Sequence, residues 1–516
     1  MSIFKMLLET PFGFVAEIDS DLPFEQDDLY EVTIREEQDE SEIITIINGK
    51  KNVVSFFGLK PNTGYNITYS MQNETYAFKY TTTKPEYVLS VKDYGAIGDA
   101  THNDTSAINA AIYSAPIGSV VKIPKGMYLV DSIFLKSGVD IFLAEGAELI
   151  QNSKREELPV IKGYIKSFDH EGSAIANATW EGNPLDCYVS LIYGKNIENV
   201  RIYGDGTLNG NGEQGSWWID PKTKIKAWRP RNMFLAHCKD ITISGITSRN
   251  SAAWNLHPFY SEDLRFYALK IESASDSPNT DGLNPESCND VEIVGCEFSV
   301  GDDCIAIKAG KRFMSRFHLR PSENITVRNC LMQKGHGGIV IGSEMSCGVK
   351  NVNVSKCIML DTDRGLRIKT RRGRGDTAVV DDVSFMDVKM HKVTNCFTVN
   401  MFYYCDPDGR SDYVSSKKCL PKDNETPTVR NIKISNVQAT DIKGSAIFIA
   451  GLPESPVTGV NVENSTFEFS KDRPLQCPEM MEDEVLIPKL GVYTYNTEDV
   501  NFKNTKFEGD YETVEM

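Results

Sequence analysis

Two adjacent carboxylates, Asp302 and Asp303, stand in the stretch GDDCIAIKAG (residues 301 to 310), immediately before an apolar, strand-like run. Successive side chains on a strand point to opposite faces, so a regular strand from Gly301 onward would drive one acid into the core. An ionised carboxylate without a partner is costly to bury. The pair therefore belongs in a bend that Gly301 permits and that opens to solvent or a cleft. Three further segments share this shape, a polar or glycine bend followed by a strand: TDGLNPE from Thr280, HGGIVIG from His336 and DRGLRIK from Asp363. Aligning Leu283, Ile305, Ile339 and Leu366 as inward positions gives one register, since a slip by one residue would turn each strand inside out. In that register Asp281 lies over Asp303 at the ~4.8 Å spacing of neighbouring strands. Asp302 aligns with His336, and Arg367 and Lys369 share one face of the last strand.

Any one of these aspartates is more often a turn residue, a single histidine more often structural, and a basic pair more often a solvated face. Three acids in register ask for another explanation. Two carboxylates flanking a glycosidic bond can serve as general acid and general base, with a water between them in an inverting enzyme. Close acids also separate their pKa values, so that one stays protonated near neutral pH. The cations suit a sugar carboxylate, Arg by its planar fork and Lys as a point charge. The run RIKTRRGRG adds Arg371, Arg372 and Arg374, a basic island in an acidic protein. The pattern suits hydrolysis of an anionic sugar.

A repeat must position these groups. Asn or Asp followed by an aliphatic residue recurs in KDITISG, EDLRFYA, NDVEIVG, ENITVRN, KNVNVSK and DDVSFMD, with the acid or amide at 240, 263, 290, 324, 351 and 382. Units of this length that alternate apolar and polar residues cannot bury a face alone and must stack, as in a parallel β-helix. Leucine-rich repeats are the competing architecture, but their leucine spacing is absent. A helical pattern with Ala107, Ile108, Ala111 and Ile112 on one side precedes the first coils, where it would cap the stack. Residues 1–85 instead read as short alternating strands, such as YEVTI from Tyr30 and YNITY from Tyr65, and TTTKPE then reads as a linker to a second domain, 86–516. LKPNTGYNITY resembles the E–F corner of fibronectin type III modules, with Tyr65 as the corner tyrosine.

Length and composition set the outer bounds. A chain of 516 residues with 41% hydrophobic content holds a large core, and no run reaches the ~20 apolar residues of a membrane span, so it reads as soluble. Its net charge of −17 argues against a nucleic-acid partner. The scattered 12 cysteines read as buried free thiols. Neither a CxxC pair nor HExxH occurs, so the expectation is no metal and no cofactor. The amino-terminal MSIFKMLLETPFGF lacks the apolar stretch of a signal peptide, so the expected location is cytoplasmic.

With these residues in view, the chain resembles glycoside hydrolase family 28, the polygalacturonases, from about Tyr87 onward. Four motifs carry the likeness, in the family's order: NTD (279–281), GDD (301–303), GHG (335–337) and RIK (367–369). The resemblance implies an all-β, right-handed parallel β-helix and inverting hydrolysis of α-1,4-linked galacturonate, with an oligosaccharide or polysaccharide of that sugar as partner. It implies Asp302 as general acid, Asp281 and Asp303 as the residues that hold and deprotonate the water, and His336 as support of the acid. Arg367, Lys369 and Asn279 would bind substrate. The amino-terminal module and the long inserts between Asn152 and Ala236, with GSWW at 215–218 and the KAWRPR run from Lys226, resemble the bacterial exo-acting branch. Such inserts could wall off one end of the cleft. The alternatives are an endo-polygalacturonase, a rhamnogalacturonan hydrolase, a calcium-dependent pectate lyase using the three acids as a cage, or a noncatalytic polysaccharide-binding β-helix.

Overall fold

The computed structural model describes residues 4–168, 174–483 and 485–516. Residues 1–3 of the stretch read for export, and residues 169–173 of the insert, lie outside the described residues.

Each repeat opens with its Asn or Asp in the left-handed region: φ is 52° at Asp240, 54° at Asp263, 56° at Asp290, 58° at Asn324, 51° at Asn351 and 57° at Asp382. Asn and Asp enter this region more easily than other residues with a side chain, which is why they recur at the same point of every coil. They also bond up the stack. Asn351 Nδ2 donates to Asn324 Oδ1 at 2.8 Å, and Asn324 Nδ2 to Asp290 Oδ1 at 2.9 Å. The aliphatic residue that follows points inward, and Ile241, Leu264, Val291, Ile325, Val352 and Val383 pair in continuous parallel register.

Stacking these coils gives a right-handed parallel β-helix. Among the described residues, two sheets of 13 strands run its length, and a third is divided into parts of 4 and 7 strands. The division falls where Pro285 has no N–H to give to a ladder. Two lines of bridges cross it, Leu256 to Leu283 to Ile305, and Phe259 to Glu286 to Lys308, with backbone hydrogen bonds to both neighbouring coils. From Ile305 the ladder continues to Ile339 and then Leu366, so the register expected from the sequence is the one observed. The helix Thr105–Ser114 buries Ile108, Ala111 and Ile112 against the first coils, as its pattern predicts. All 12 cysteines are free thiols, mostly buried in the coils.

The amino-terminal strands form two antiparallel sheets, of three and of four strands, ahead of Val88–Ser90, which joins the first long sheet. The Tyr65 hydroxyl accepts the backbone N–H of Lys60 at 2.8 Å. These sheets dock on the outside of the coils. Phe12 stacks on Phe142 at 4.4 Å, and Arg328 forks onto Glu17 at 2.9 Å.

Gly301 is needed for closeness rather than for an unusual φ: a Cβ there would meet the Ser277 carbonyl oxygen at 2.4 Å. Gly301→Ala must push the bend off Ser277, which should cost roughly 1–3 kcal/mol, the range for overpacking. Because Asp302 and Asp303 follow directly, activity should fall further than the loss of Tm alone accounts for. Thermal melts and kcat on folded protein at low temperature check both parts.

Candidate active site

The bend at Gly301 delivers Asp302 and Asp303 to one cleft, and the segment before Leu283 brings Asp281 beside them. Oxygens of all three lie within 4.8 Å of one another. They are held differently. Asp302 sits at the cleft, its side chain 22% exposed, with His336 Nδ1 at 3.4 Å and Asn279 Nδ2 at 3.4 Å. Asp281 is buried and accepts Asn284 Nδ2 at 2.8 Å. Asp303 is buried too, against Lys369 Nζ at 2.9 Å. Asp303 thus lines the cleft while almost wholly covered, and an ion pair offsets the cost of its burial.

The structure brings Asp281, Asp302, Asp303, His336, Asn279 and Lys369 together, but it treats the basic residues otherwise than expected. Arg367 does not offer its fork to the cleft. Its Nε and Nη2 hold the buried Glu479 at 2.7 and 2.9 Å, leaving Nη1 3.9 Å from Asp303. The basic island is likewise internal: Arg371 and Arg374 bind Asp406, and Arg372 binds Glu454. These partners lie far along the chain, and the strand itself carries no sign of them.

Several residues of the cleft were not singled out from the sequence. Lys308 stands in the same register position as Lys369, with Gly342 on the coil between, and its Nζ holds Glu344 at 3.0 Å. The like endings of DDCIAIK and DRGLRIK carry that signal. Glu181, Lys222, Trp254 and Tyr403 also line the cavity, of ≈ 110 Å³, that these acids face. Glu181 and Lys222 come from the inserts, which thus do reach the acids. Arg229 of the KAWRPR run ties the same insert to the first motif, donating to Asn279 Oδ1 at 2.6 Å and the Pro278 carbonyl at 2.8 Å.

Burial pushes the Asp281 carboxyl well above its usual range, and the charges of Asp302 and Asp303 push it further. For Asp302 burial acts the same way, but the hydrogen bond and charge of His336, with Lys369 and Lys308, outweigh it and hold it low. His336 is raised in return, first by its bond to Asp302. A proton in this cluster is therefore held more readily by Asp281 than by Asp302. The arrangement can store one proton beside an open carboxylate, which is what acid–base chemistry on a bound hydroxyl or ether oxygen requires.

Asp281 binds its proton more tightly folded than unfolded, so its contribution to stability falls as pH rises above ~4, the unfolded value. Asp281→Asn keeps the acceptor for Asn284 and removes the titration. We expect the variant to melt higher than the wild type, by roughly 1–3 °C near neutral pH, with an advantage that widens from pH 4 to pH 8 and with activity lost. Melting curves across that range test it; a variant that melts lower at pH 8 would contradict it.

Comparison with known proteins agrees with this geometry. Residues 119–484 match glycosyl hydrolases family 28. A probable polygalacturonase of Vitis vinifera is 30% identical over 76% of this chain and 77% of its own length. The structure of a hyperthermoactive exopolygalacturonase from Thermotoga maritima, 25% identical, superposes with a TM-score of 0.65 over 83% of this chain and 93% of that one. A family 28 exopolygalacturonase from Yersinia enterocolitica, 19% identical, shares the fold over 99% of this chain and 98% of its own, with a TM-score of 0.68. With its four motifs gathered at one cleft of a parallel β-helix, the chain belongs to glycosyl hydrolases family 28 and is a glycoside hydrolase.

Proposed function

We propose that this enzyme hydrolyses α-1,4-galacturonosidic bonds, releasing sugar from the end of a galacturonate chain with inversion at the anomeric carbon. The observation that carries the reading is the cluster of Asp281, Asp302 and Asp303, one of them open to the cleft and two buried behind it. The names of its relatives, which include an exo-poly-α-D-galacturonosidase of Dickeya chrysanthemi, support the substrate.

The cluster's single proton has two useful places. On Asp281 it sits where burial favours it; on Asp302 it could protonate the leaving oxygen. A sugar seated over Asp302 strips water from that carboxylate and raises its pKa, so substrate binding draws the proton from Asp281 to Asp302. The same transfer leaves Asp281 ionised, able to take a proton from the water it shares with Asp303. His336 and Asn279 aim Asp302, and Lys369 holds Asp303 in place. The acids lie closer together than the ~6.5–9.5 Å usual between paired carboxylates of inverting enzymes. Separation alone would favour retention, but a retaining enzyme needs a carboxylate free to attack. Asp303 is engaged by Lys369, and Asp281 by Asn284.

The cavity of ≈ 110 Å³ falls well short of the ~300–1,000 Å³ of ordinary ligand pockets, and the inserts close on it. Such a site holds the end of a chain better than its middle, which supports exo action. Residues 1–85 we read as a fibronectin type III-like sandwich, on the strength of their three- and four-stranded sheets and the Tyr65 corner bond. The three acids stand close enough together to hold a cation, but Asp303 is already paired with Lys369 at 2.9 Å, which favours hydrolysis over a calcium-dependent lyase.

Asp302→Asn should lower kcat on galacturonate oligomers by ~10² or more, yet cost far less on an aryl galacturonide whose leaving group needs no proton. Asp281→Asn should be impaired on both. Equal loss for Asp302→Asn on the two substrates would remove Asp302 from the acid's role.

Early products from hexagalacturonate should be the terminal sugar and pentamer, with the new anomeric proton inverted by NMR. A mixed ladder at low conversion refutes exo action alone; a retained anomer overturns the water-activating roles of Asp281 and Asp303.

A further inference from the structure

The cleft has an electrostatic problem that the family motifs leave open. Its lining carries the carboxylates of Glu181, Asp281, Asp302, Asp303 and Glu344 against the ammonium groups of Lys222, Lys308 and Lys369. An anionic sugar therefore approaches a surplus of acid, and two of the three cations are committed. Lys369 is buried on Asp303, and Lys308 is buried between Glu344 and the Gly342 carbonyl. Arg367, whose fork would suit a carboxylate, is occupied by Glu479.

Lys222 differs from both. It stands at the corner of a turn, Asp220 to Thr223, with Pro221 before it, and its side chain is 63% exposed. Its ammonium pairs with Glu181 and still feels the charges of Glu344 and Asp302. An ion pair this open is the weakest class and the easiest to exchange.

Glu181 is held with unusual care for so weak a contact. It and Gly182 form a two-residue tip, with Trp180 N–H donating to the Asn183 carbonyl at 2.9 Å and Asn183 N–H returning to Trp180 at 3.1 Å. Both tip residues have positive φ, 45° at Glu181 and 76° at Gly182. Such a tip favours Asn, Asp or Gly at its first place, and a glutamate there bears a backbone cost. The tip cannot drift. Trp180 stacks on Trp228 at 4.7 Å, Gly182 is packed so close to Glu344 that a Cβ would meet its side chain at 2.8 Å, and the Gly182 carbonyl accepts Lys311 N–H at 2.9 Å. The backbone beneath Glu181 is thus fixed at the mouth of the cleft, while its side chain reaches the Lys222 ammonium, for which it is the one hydrogen-bonded acceptor among the described residues.

We propose that Lys222 is the residue that recognises the carboxylate of the galacturonate unit seated against the inserts, and that Glu181 is its counter-ion in the empty site, occupying the place the sugar's carboxylate takes. Binding exchanges one carboxylate for another on the same ammonium, so the anionic substrate meets a free cation without the empty cleft exposing one. This assignment rests on the galacturonate reading given above and adds to it a specificity residue outside the four motifs.

The test compares kcat/KM on trigalacturonate and on its methyl ester. Lys222→Ala should shrink the preference for the free acid by about tenfold or more, the size expected for losing one charged hydrogen bond, and Lys222→Arg should restore most of it. Glu181→Gln, which keeps the shape of the tip but removes the competing charge, should lower KM for the free acid. The wild-type preference should also weaken as salt is raised. If Lys222→Ala loses both substrates equally, or loses neither, Lys222 is only part of the wall and the inference fails while the hydrolase reading stands. A wild type inert on every galacturonide would overturn that reading and this inference with it.

Discussion

Neighbouring coils of a parallel β-helix lie ~4.8 Å apart, and every outward side chain on a sheet sits over the one below it. Like charges in such a column repel at short range, so each must be answered within the column or from a loop folded over it. The active site is built from that constraint. Asp281 and Asp303 occupy successive levels, and a proton on the first together with Lys369 against the second keeps the pair tolerable. Glu286, Lys308 and Lys369 follow one another along a neighbouring column, with Gly342 where a further side chain would collide with the Lys369 carbonyl at 2.2 Å.

The same constraint explains what could be read in advance. Register is a property of the strands themselves, so aligning Leu283, Ile305, Ile339 and Leu366 was enough to stack Asp281 on Asp303 and to set Asp302 beside His336. The Asn and Asp repeat was legible for an equally local reason, the left-handed φ that each coil requires. Lys308 was within reach of that logic, since it ends its strand as Lys369 ends its own. Glu479 was not. It arrives from a loop 112 residues beyond Arg367, and no feature of the RIK strand distinguishes an arginine facing a ligand from one facing a buried glutamate. Glu181 and Lys222 were hidden for the same reason: inserts without periodicity have no register to align, and tertiary folding alone decides which of their charges meet.

Burial of so many ion pairs around one cleft is weak support for stability, because desolvation offsets most of the attraction. It does give the acids a rigid and dry setting. Arg371, Arg372 and Arg374, in the turn after the RIK strand, each reach a distant loop, pinning the segments that carry Asp406 and Glu454. Glu286, pushed up to about 8 by burial and by the charge of Glu344, shares a hydrogen bond with the buried His257 at 2.9 Å.

The division of the third sheet follows from the need to place acid and base on different levels. A continuous ladder through residues 281–287 would hold Asp281 in the plane of its neighbours and direct its side chain as regularly as any other. Pro285 leaves a gap in that ladder, flanked by the bridges at Leu283 and Glu286, while backbone hydrogen bonds such as Asn284 N–H to the Leu256 carbonyl at 2.9 Å and Lys308 N–H to the Pro285 carbonyl at 2.8 Å still tie the segment to both neighbouring coils. Between the two bridges Asn284 turns its amide back onto Asp281 at 2.8 Å. The segment before Leu283 carries the buried acid, Asp281, while the bend at Gly301 carries Asp302, which faces the cleft. Burial raises the first, whereas His336 outweighs burial and holds down the second, so two aspartates one coil apart are pushed in opposite directions.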